Sequence, residues 1–386
     1  MLSDKKDPKL IYAQSSDIKA RTYLEYRKDM KKKAIAELEI KDWLESKLKE
    51  KFKRSDLKVE KYGGDKFLWF LRKGGITREP DFVVYVGEKK QLFIEFQYAE
   101  KEDLQFFDFK ISKVSKKRGE IREPYSDRLF LYVLKPSAKY ALIEPKWIAE
   151  NGMIDSVPAW GSRQAYRVPK EKFEKLFKED KTLHSIIQVI EAKNFILNFQ
   201  HELINIWQNH LSKKLEKVID EERLVKILPK TLKGFFEVCF ILDHLKRIPE
   251  NVKLWFIYAL SYINKALKLE LKEISQLTYI LDFLYSKIAS FEENELRELE
   301  DKVKKLLSLI DSYYDDNSGL YKSSIKESDL NETRYALFSI NILEDIIQDA
   351  IYYHKAHFKP ITKIYQFLKD PLKTVETLRS VGEENR

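Results

Sequence analysis

An α/β domain followed by an all-α domain is the fold this sequence predicts, and three observations predict it. Short apolar runs such as FVVYV, LFIEF, RLFLYVL and YALI are packed between residues 57 and 143, separated by glycine-containing or charged turns. A strongly amphipathic stretch precedes them, and another apolar stretch of helical spacing lies among them. From Glu171 onward the strand-like runs give way to long stretches of helical period, such as TLKGFFEVCFILDHLKRI and SQLTYILDFLYSKIASF. With 386 residues, 44% of them hydrophobic, the chain is long enough for two cores. The expected domains are residues 1–170 and 171–386.

Taken in order, residues 18–53 place Ala34, Leu38, Leu44, Leu48 and Phe52 on one helical face. LKVEKYGGDKFLWFLRKGG predicts two short strands joined at Gly63-Gly64, with a further turn at Gly74-Gly75. Phe82–Val86 and Leu92–Phe96 form a hairpin across Gly87-Glu88-Lys89-Lys90. KEDLQFFDFKISKVSKKRG has helical spacing at Leu104, Phe107, Ile111 and Val114, and RLFLYVLK and KYALIE supply two more strands. The segment from Glu144 to Lys170, rich in Pro, Gly and Trp, reads as an irregular tail. In the second half, helix breaks are expected near Pro229, Pro249, Asn317-Ser318-Gly319 and Pro360. The aromatic stripe of Phe235, Phe236, Phe240, Trp255, Phe256 and Tyr258 reads as helix core, and the absence of a strict repeat leaves a bundle or an irregular solenoid.

Charge distribution bounds the function. The formal net charge is +9, but residues 1–180 carry 41 basic against 31 acidic side chains, while the remainder carries 30 against 31. The basic excess therefore lies in the N-terminal half, which fits either a polyanionic partner such as nucleic acid or a Lys/Glu-rich solvated surface. No run reaches the 18 or so apolar residues of a membrane span, and the N-terminus lacks a secretory apolar region, so a cytoplasmic protein without membrane contact is expected. A single cysteine, Cys239, excludes an internal disulfide and a cysteine-based zinc cluster. Nothing matches GxxxxGK[ST], GxGxxG or GxSxG, which leaves nucleotide-driven motors and serine hydrolases without a foothold.

The stretch EPDFVVYVGEKKQLFIEFQ, residues 79–97, concentrates the chemistry. Its apolar runs read as strands covered on both faces, where an ionised carboxylate is costly unless it has a partner. Asp81 enters one strand and Glu95 lies near the exit of its antiparallel neighbour, so a hairpin returns both to the same end of the sheet. Gln97, two residues on, shares a face with Glu95. A hard divalent cation is the most effective partner for two such acids.

Pro80-Asp81 followed by Glu95-Phe96-Gln97 resembles the motif of the PD-(D/E)XK nuclease superfamily, the restriction-endonuclease-like fold. The motif match is five positions, within a helix and strand order that extends over roughly residues 30–170. The resemblance implies a small mixed sheet flanked by helices, and a metal-dependent DNA endonuclease in which Asp81, Glu95 and the backbone carbonyl of Phe96 hold Mg²⁺, with Mn²⁺ as a substitute. Gln97 departs from the usual lysine, although some similar restriction endonucleases carry glutamine there; Lys110 or Lys101 could supply the cation from elsewhere. A glutamate on the first helix is a further contact in similar nucleases; Glu37 is the first choice and Glu45 the second, with ion pairs to Lys33 or Lys41 as the alternative reading. Arg78, Lys113, Lys116, Lys117, Arg118, Arg163 and Arg167 are candidate DNA contacts, the last two in PAWGSRQAYR beside Trp160 and Tyr166. The helical half is then expected to dimerise, bind a partner or close over DNA. Two further readings remain open: a structure-specific repair or recombination nuclease of the same fold, and a catalytically inactive nucleic-acid-binding adaptor.

Overall fold

The computed structural model describes residues 23–62, 80–102, 104–118, 121–157, 163–215, 221–264, 269–353 and 369–384. The chain divides into two compact units, residues 1–191 and 192–386.

The first unit begins with helix α1 (Tyr23–Phe52). Strands β1 (Leu57–Lys61), β2 (Phe82–Val86), β3 (Lys89–Ala99), β7 (Arg128–Leu134), β8 (Lys139–Ile143) and β11 (Lys178–Glu179) form one sheet in the order β1-β2-β3-β7-β8-β11. Only the β3–β7 pair is parallel, so the sheet is mixed. A second, three-stranded sheet has β4 (Phe106–Lys110) and β9 (Met153–Val157) on either side of β10 (Arg163–Pro169). Among the described residues, strands β5 (Ser115–Arg118) and β6 (Ile121–Pro124) pair only with each other.

Strand β7 shows why the apolar runs are continuous. Leu129, Leu131 and Val133 join α1 residues Ile40, Leu44 and Leu48 in one core, while Phe130, Tyr132 and Leu134 join Phe107, Phe109, Tyr166 and Phe173 in another. A strand buried on both faces has no polar alternation to display.

Two stretches differ from expectation. Residues 106–118 form not a long helix but β4, a single helical turn α2 (Ile111–Val114) and β5. Phe107 and Phe109 alternate with Asp108 and Lys110, and the period of two prevails because β4 finds a partner in β10. The expected irregular tail holds helix α3 (Pro145–Asn151), with Pro145 at its first turn, and the β9–β10 hairpin. The first unit runs on past residue 170 through the short helix α4 (Lys170–Phe173) and into α5 (Lys181–Asn198), because β11 pairs with β8 and Leu183, Ile187 and Ile190 complete the α1 core.

The second unit is helical: α6 (Leu203–Leu215), α7 (Glu221–Lys226), α8 (Leu232–His244), α9 (Val252–Tyr262), α10 (Leu271–Tyr285), α11 (Glu293–Asp311), α12 (Asp329–Tyr353) and α13 (Pro371–Glu384). Phe235, Phe236, Phe240, Trp255 and Phe256 are buried in its core. Helices α8 and α9 start just after Pro229 and Pro249, capped by Thr231 and Asn251; the break expected at Pro360 lies outside the described residues. The unit is not purely helical, since Tyr314–Asp315 pairs with Leu320–Tyr321 around the turn at Gly319, whose φ is +73°. Among the described residues, no helix is long and apolar enough to cross a membrane.

Candidate active site

The β2–β3 register places Phe82 opposite Ile94, so Asp81 and Glu95 are the next pair along the ladder. The hairpin closes through Gly87-Glu88, with Gly87 at φ +59°, a conformation that favours glycine. Asp81 replaces the missing rung of the ladder with its side chain: the Phe96 N–H donates to its Oδ2 at 2.8 Å, and the Tyr62 N–H donates to its backbone carbonyl at 3.0 Å. This fixes the carboxylate at the sheet end, where it is 7% exposed.

Each buried acid is met by cations from other elements. Lys33 of α1 donates to Asp81 Oδ1 at 2.8 Å and lies 3.5 Å from Glu37, one helical turn away. Lys61 at the end of β1 lies 3.2 Å from Glu37. Glu95 is held at 3.0 Å by Lys113 and at 3.1 Å by Arg128. Despite those two partners, burial pushes the Glu95 carboxyl up to about 7, and the neighbouring Asp81 charge pushes in the same direction while Lys113 and Arg128 pull it back. The position is short of positive charge.

Gln97 lies two residues beyond Glu95 on the same strand, and its side-chain oxygen is buried without a hydrogen-bond partner among the described residues. An orphaned amide oxygen on the strand face of Glu95, together with the Asp81 and Glu95 carboxylates, makes a set of hard oxygen donors whose chemistry suits a divalent cation such as Mg²⁺ or Mn²⁺. The set consists of the Asp81 and Glu95 carboxylates, with Gln97 Oε1 and the Phe96 carbonyl to complete it. Among the described residues no cluster of three or more His, Cys, Asp or Glu side chains is gathered for a metal, so Glu37 stands with Lys33 and Lys61 rather than as a third acidic ligand.

The other candidates scatter. Glu45 belongs to the frame: Lys49 lies 2.7 Å away, and the Val59 N–H donates to its other oxygen at 2.9 Å, tying α1 to β1. Lys101 and Lys110 are exposed, and the lysine beside Glu95 is Lys113. Arg167 is drawn into the β4–β10–β9 sheet, donating to Asp108 at 2.9 Å and stacking over Phe106 at 4.6 Å. Lys116 faces Glu123 at 4.0 Å and Lys117 is exposed. Arg78 and Trp160 lie outside the described residues, as do the side chains of Arg118 and Arg163, which sit in β5 and β10.

Arg128 and Lys61 are site cations that the sequence did not point to. Arg128 opens a run that is otherwise wholly apolar, RLFLYVL, which is the one signal that could have singled it out. No family model matches the chain, and neither a curated protein nor a solved structure matches it.

Proposed function

We propose that residues 1–191 form a metal-dependent endonuclease that hydrolyses DNA phosphodiester bonds. The observation that carries this reading is the meeting of Asp81 and Glu95 on adjacent strands at one end of a mixed sheet, with the unpaired Gln97 oxygen beside Glu95. Asp81 and Glu95, with Phe96 and Gln97, would hold Mg²⁺ or Mn²⁺. Such an ion acidifies a bound water and offsets charge on a phosphate.

The chain's own groups prepare that site. The Phe96 N–H fixes the Asp81 carboxylate, and Lys113 and Arg128 hold Glu95 in place and favour its ionised form. Lys113, half-buried, supplies the cation missing at the Gln97 position. Lys33 is more exposed than the acids it serves and can leave Asp81 when a divalent ion arrives. A cytoplasmic location, and a homodimer through residues 192–386 that brings two sites to the two strands, complete the reading.

The test is supercoiled plasmid incubated with Mg²⁺ or Mn²⁺, with Asp81→Ala as control. Nicked or linear DNA from the parent protein alone is the expected result; equal cutting by both, or none with either metal, overturns the reading. Cutting confined to branched or single-stranded DNA would move the substrate to repair or recombination intermediates. One observation favours a second reading, an inactive DNA-binding adaptor: every buried acid of the cluster already has a lysine or arginine. Salt-sensitive DNA binding without cleavage under any metal would select it.

A further inference from the structure

The β5–β6 ribbon has a charge pattern that the fold itself does not use. Its register sets Ser115 opposite Pro124, Lys116 opposite Glu123, Lys117 opposite Arg122 and Arg118 opposite Ile121. Directly opposed residues of an antiparallel pair share a face, so Lys117 and Arg122 stand side by side, two like charges in a position that weakens a ribbon. Both are exposed, and among the described residues neither has an acidic partner. The other face carries Ile121, 74% exposed. The ribbon joins neither of the two larger sheets.

Its two roots are, in contrast, firmly placed. Lys113 lies two residues before β5 and Arg128 four residues after β6, and both hold Glu95. Tyr125 extends the pairing by donating its N–H to the Val114 carbonyl at 3.0 Å, and its ring lies 3.8 Å below the Arg128 guanidinium. The Ser115 hydroxyl meets the Tyr166 hydroxyl at 3.3 Å. A basic two-stranded arm thus rises from the same two cations that grip the candidate metal ligand.

We propose that this ribbon enters a groove of duplex DNA and sets the register of the duplex over Glu95. The proposal deepens the nuclease reading and rests on it for the nature of the partner. A two-stranded ribbon fits the width of the major groove. Phosphates on the groove walls supply the negative charge that the opposed Lys117 and Arg122 lack, and the exposed Ile121 meets base edges or thymine methyl groups, which a single strand does not present in fixed register.

The experiment measures binding of the full chain, in EDTA, to a labelled duplex of about 20 base pairs, roughly two helical turns, and to one of its single strands. Lys117→Gln with Arg122→Gln should weaken duplex binding about tenfold at moderate salt and lower the slope of log affinity against log salt by about 2. Lys117→Glu alone separates binding from folding. It places an acid opposite Arg122, so thermal stability should hold or rise while duplex affinity falls. Ile121→Ser should weaken binding to the duplex and leave the single strand unaffected. Unchanged duplex affinity in the Lys117 and Arg122 variants, or equal losses on duplex and single strand, overturns the proposal. The two readings fail separately: a parent protein that never cleaves but whose ribbon variants lose the duplex leaves the ribbon standing, and ribbon variants that bind and cleave like the parent discard the ribbon alone.

Discussion

Both units bury a glutamate almost completely, and they hold it in opposite ways. In the helical unit one oxygen of Glu332, Oε2, accepts from the Ser323 and Ser324 backbone N–H groups, at 2.6 and 3.1 Å, and from the Ser323 hydroxyl, while Oε1 is buried without a hydrogen-bond partner among the described residues. Those donors are neutral, two backbone amides and a serine hydroxyl from the segment just before α12. In the first unit Glu37, Asp81 and Glu95 face lysines and an arginine, all from other elements except Lys33, which shares α1 with Glu37. A carboxylate whose water shell has been replaced by local amides is a structural staple. One met by long, partly exposed cations keeps ligands that can be exchanged, which is what a site for a divalent ion or a phosphate requires. Burial of an acid therefore does not mark function by itself; the two units differ in the charge and exposure of the partners.

The comparison breaks most visibly in activity. Asp81→Asn keeps an oxygen for the Phe96 N–H but removes a charge from the proposed ligand set, so stability should move little while plasmid cleavage falls by at least about 100-fold. A loss of folding with no separate loss of activity would place Asp81 with Glu332 as a staple.

The reverse outcome is expected at Glu332. Glu332→Ala leaves buried donors unsatisfied and should cost about 3 kcal/mol in urea unfolding of the full chain, with metal-dependent DNA cleavage retained below the transition. Cleavage lost in proportion to a much smaller stability change would contradict the division.

Smaller again is the pH effect at Glu95. Its folded carboxyl titrates near 7 against an ordinary 4.5, so the folded protein retains a proton that the unfolded chain gives up. The stabilising contribution is complete below about 4.5 and is lost as pH rises through 7. In EDTA, the parent protein should lose about 2–3 kcal/mol relative to Glu95→Gln between pH 4.5 and 8. A constant difference across that range would show that Lys113 and Arg128 fully offset the burial.

The smallest effect belongs to the exposed end of the cluster. Lys61→Ala should change stability by less than about 1 kcal/mol, because its side chain is 44% exposed and water competes with the Glu37 contact. A larger loss would move Glu37 from the exchangeable class to the fixed one.

What could be read in the sequence follows the range of the interactions. The β2–β3 hairpin and the shared face of Glu95 and Gln97 depend on a two-residue turn and a period of two, both contained within residues 81–97. The helix expected over residues 104–114 failed because β4 takes its partner from β10, more than fifty residues away, and no local period announces that pairing. The same limit hid the first unit's end: β11 completes a sheet edge that β8 leaves open, and a composition change at 170 does not register it.

Local sequence sufficed for the hairpin that sets Asp81 opposite Glu95 with Gln97 on the face of Glu95, for strands before helices, and for a basic excess in the strand-bearing half. Tertiary structure alone decided which cations answer those acids. Lys33 reaches Asp81 from a helix, and Lys113 and Arg128 reach Glu95 from the two roots of a ribbon. The physical reason is that a buried charge selects its partner by proximity in space, and that proximity exists only after the sheet and its covering layers have packed.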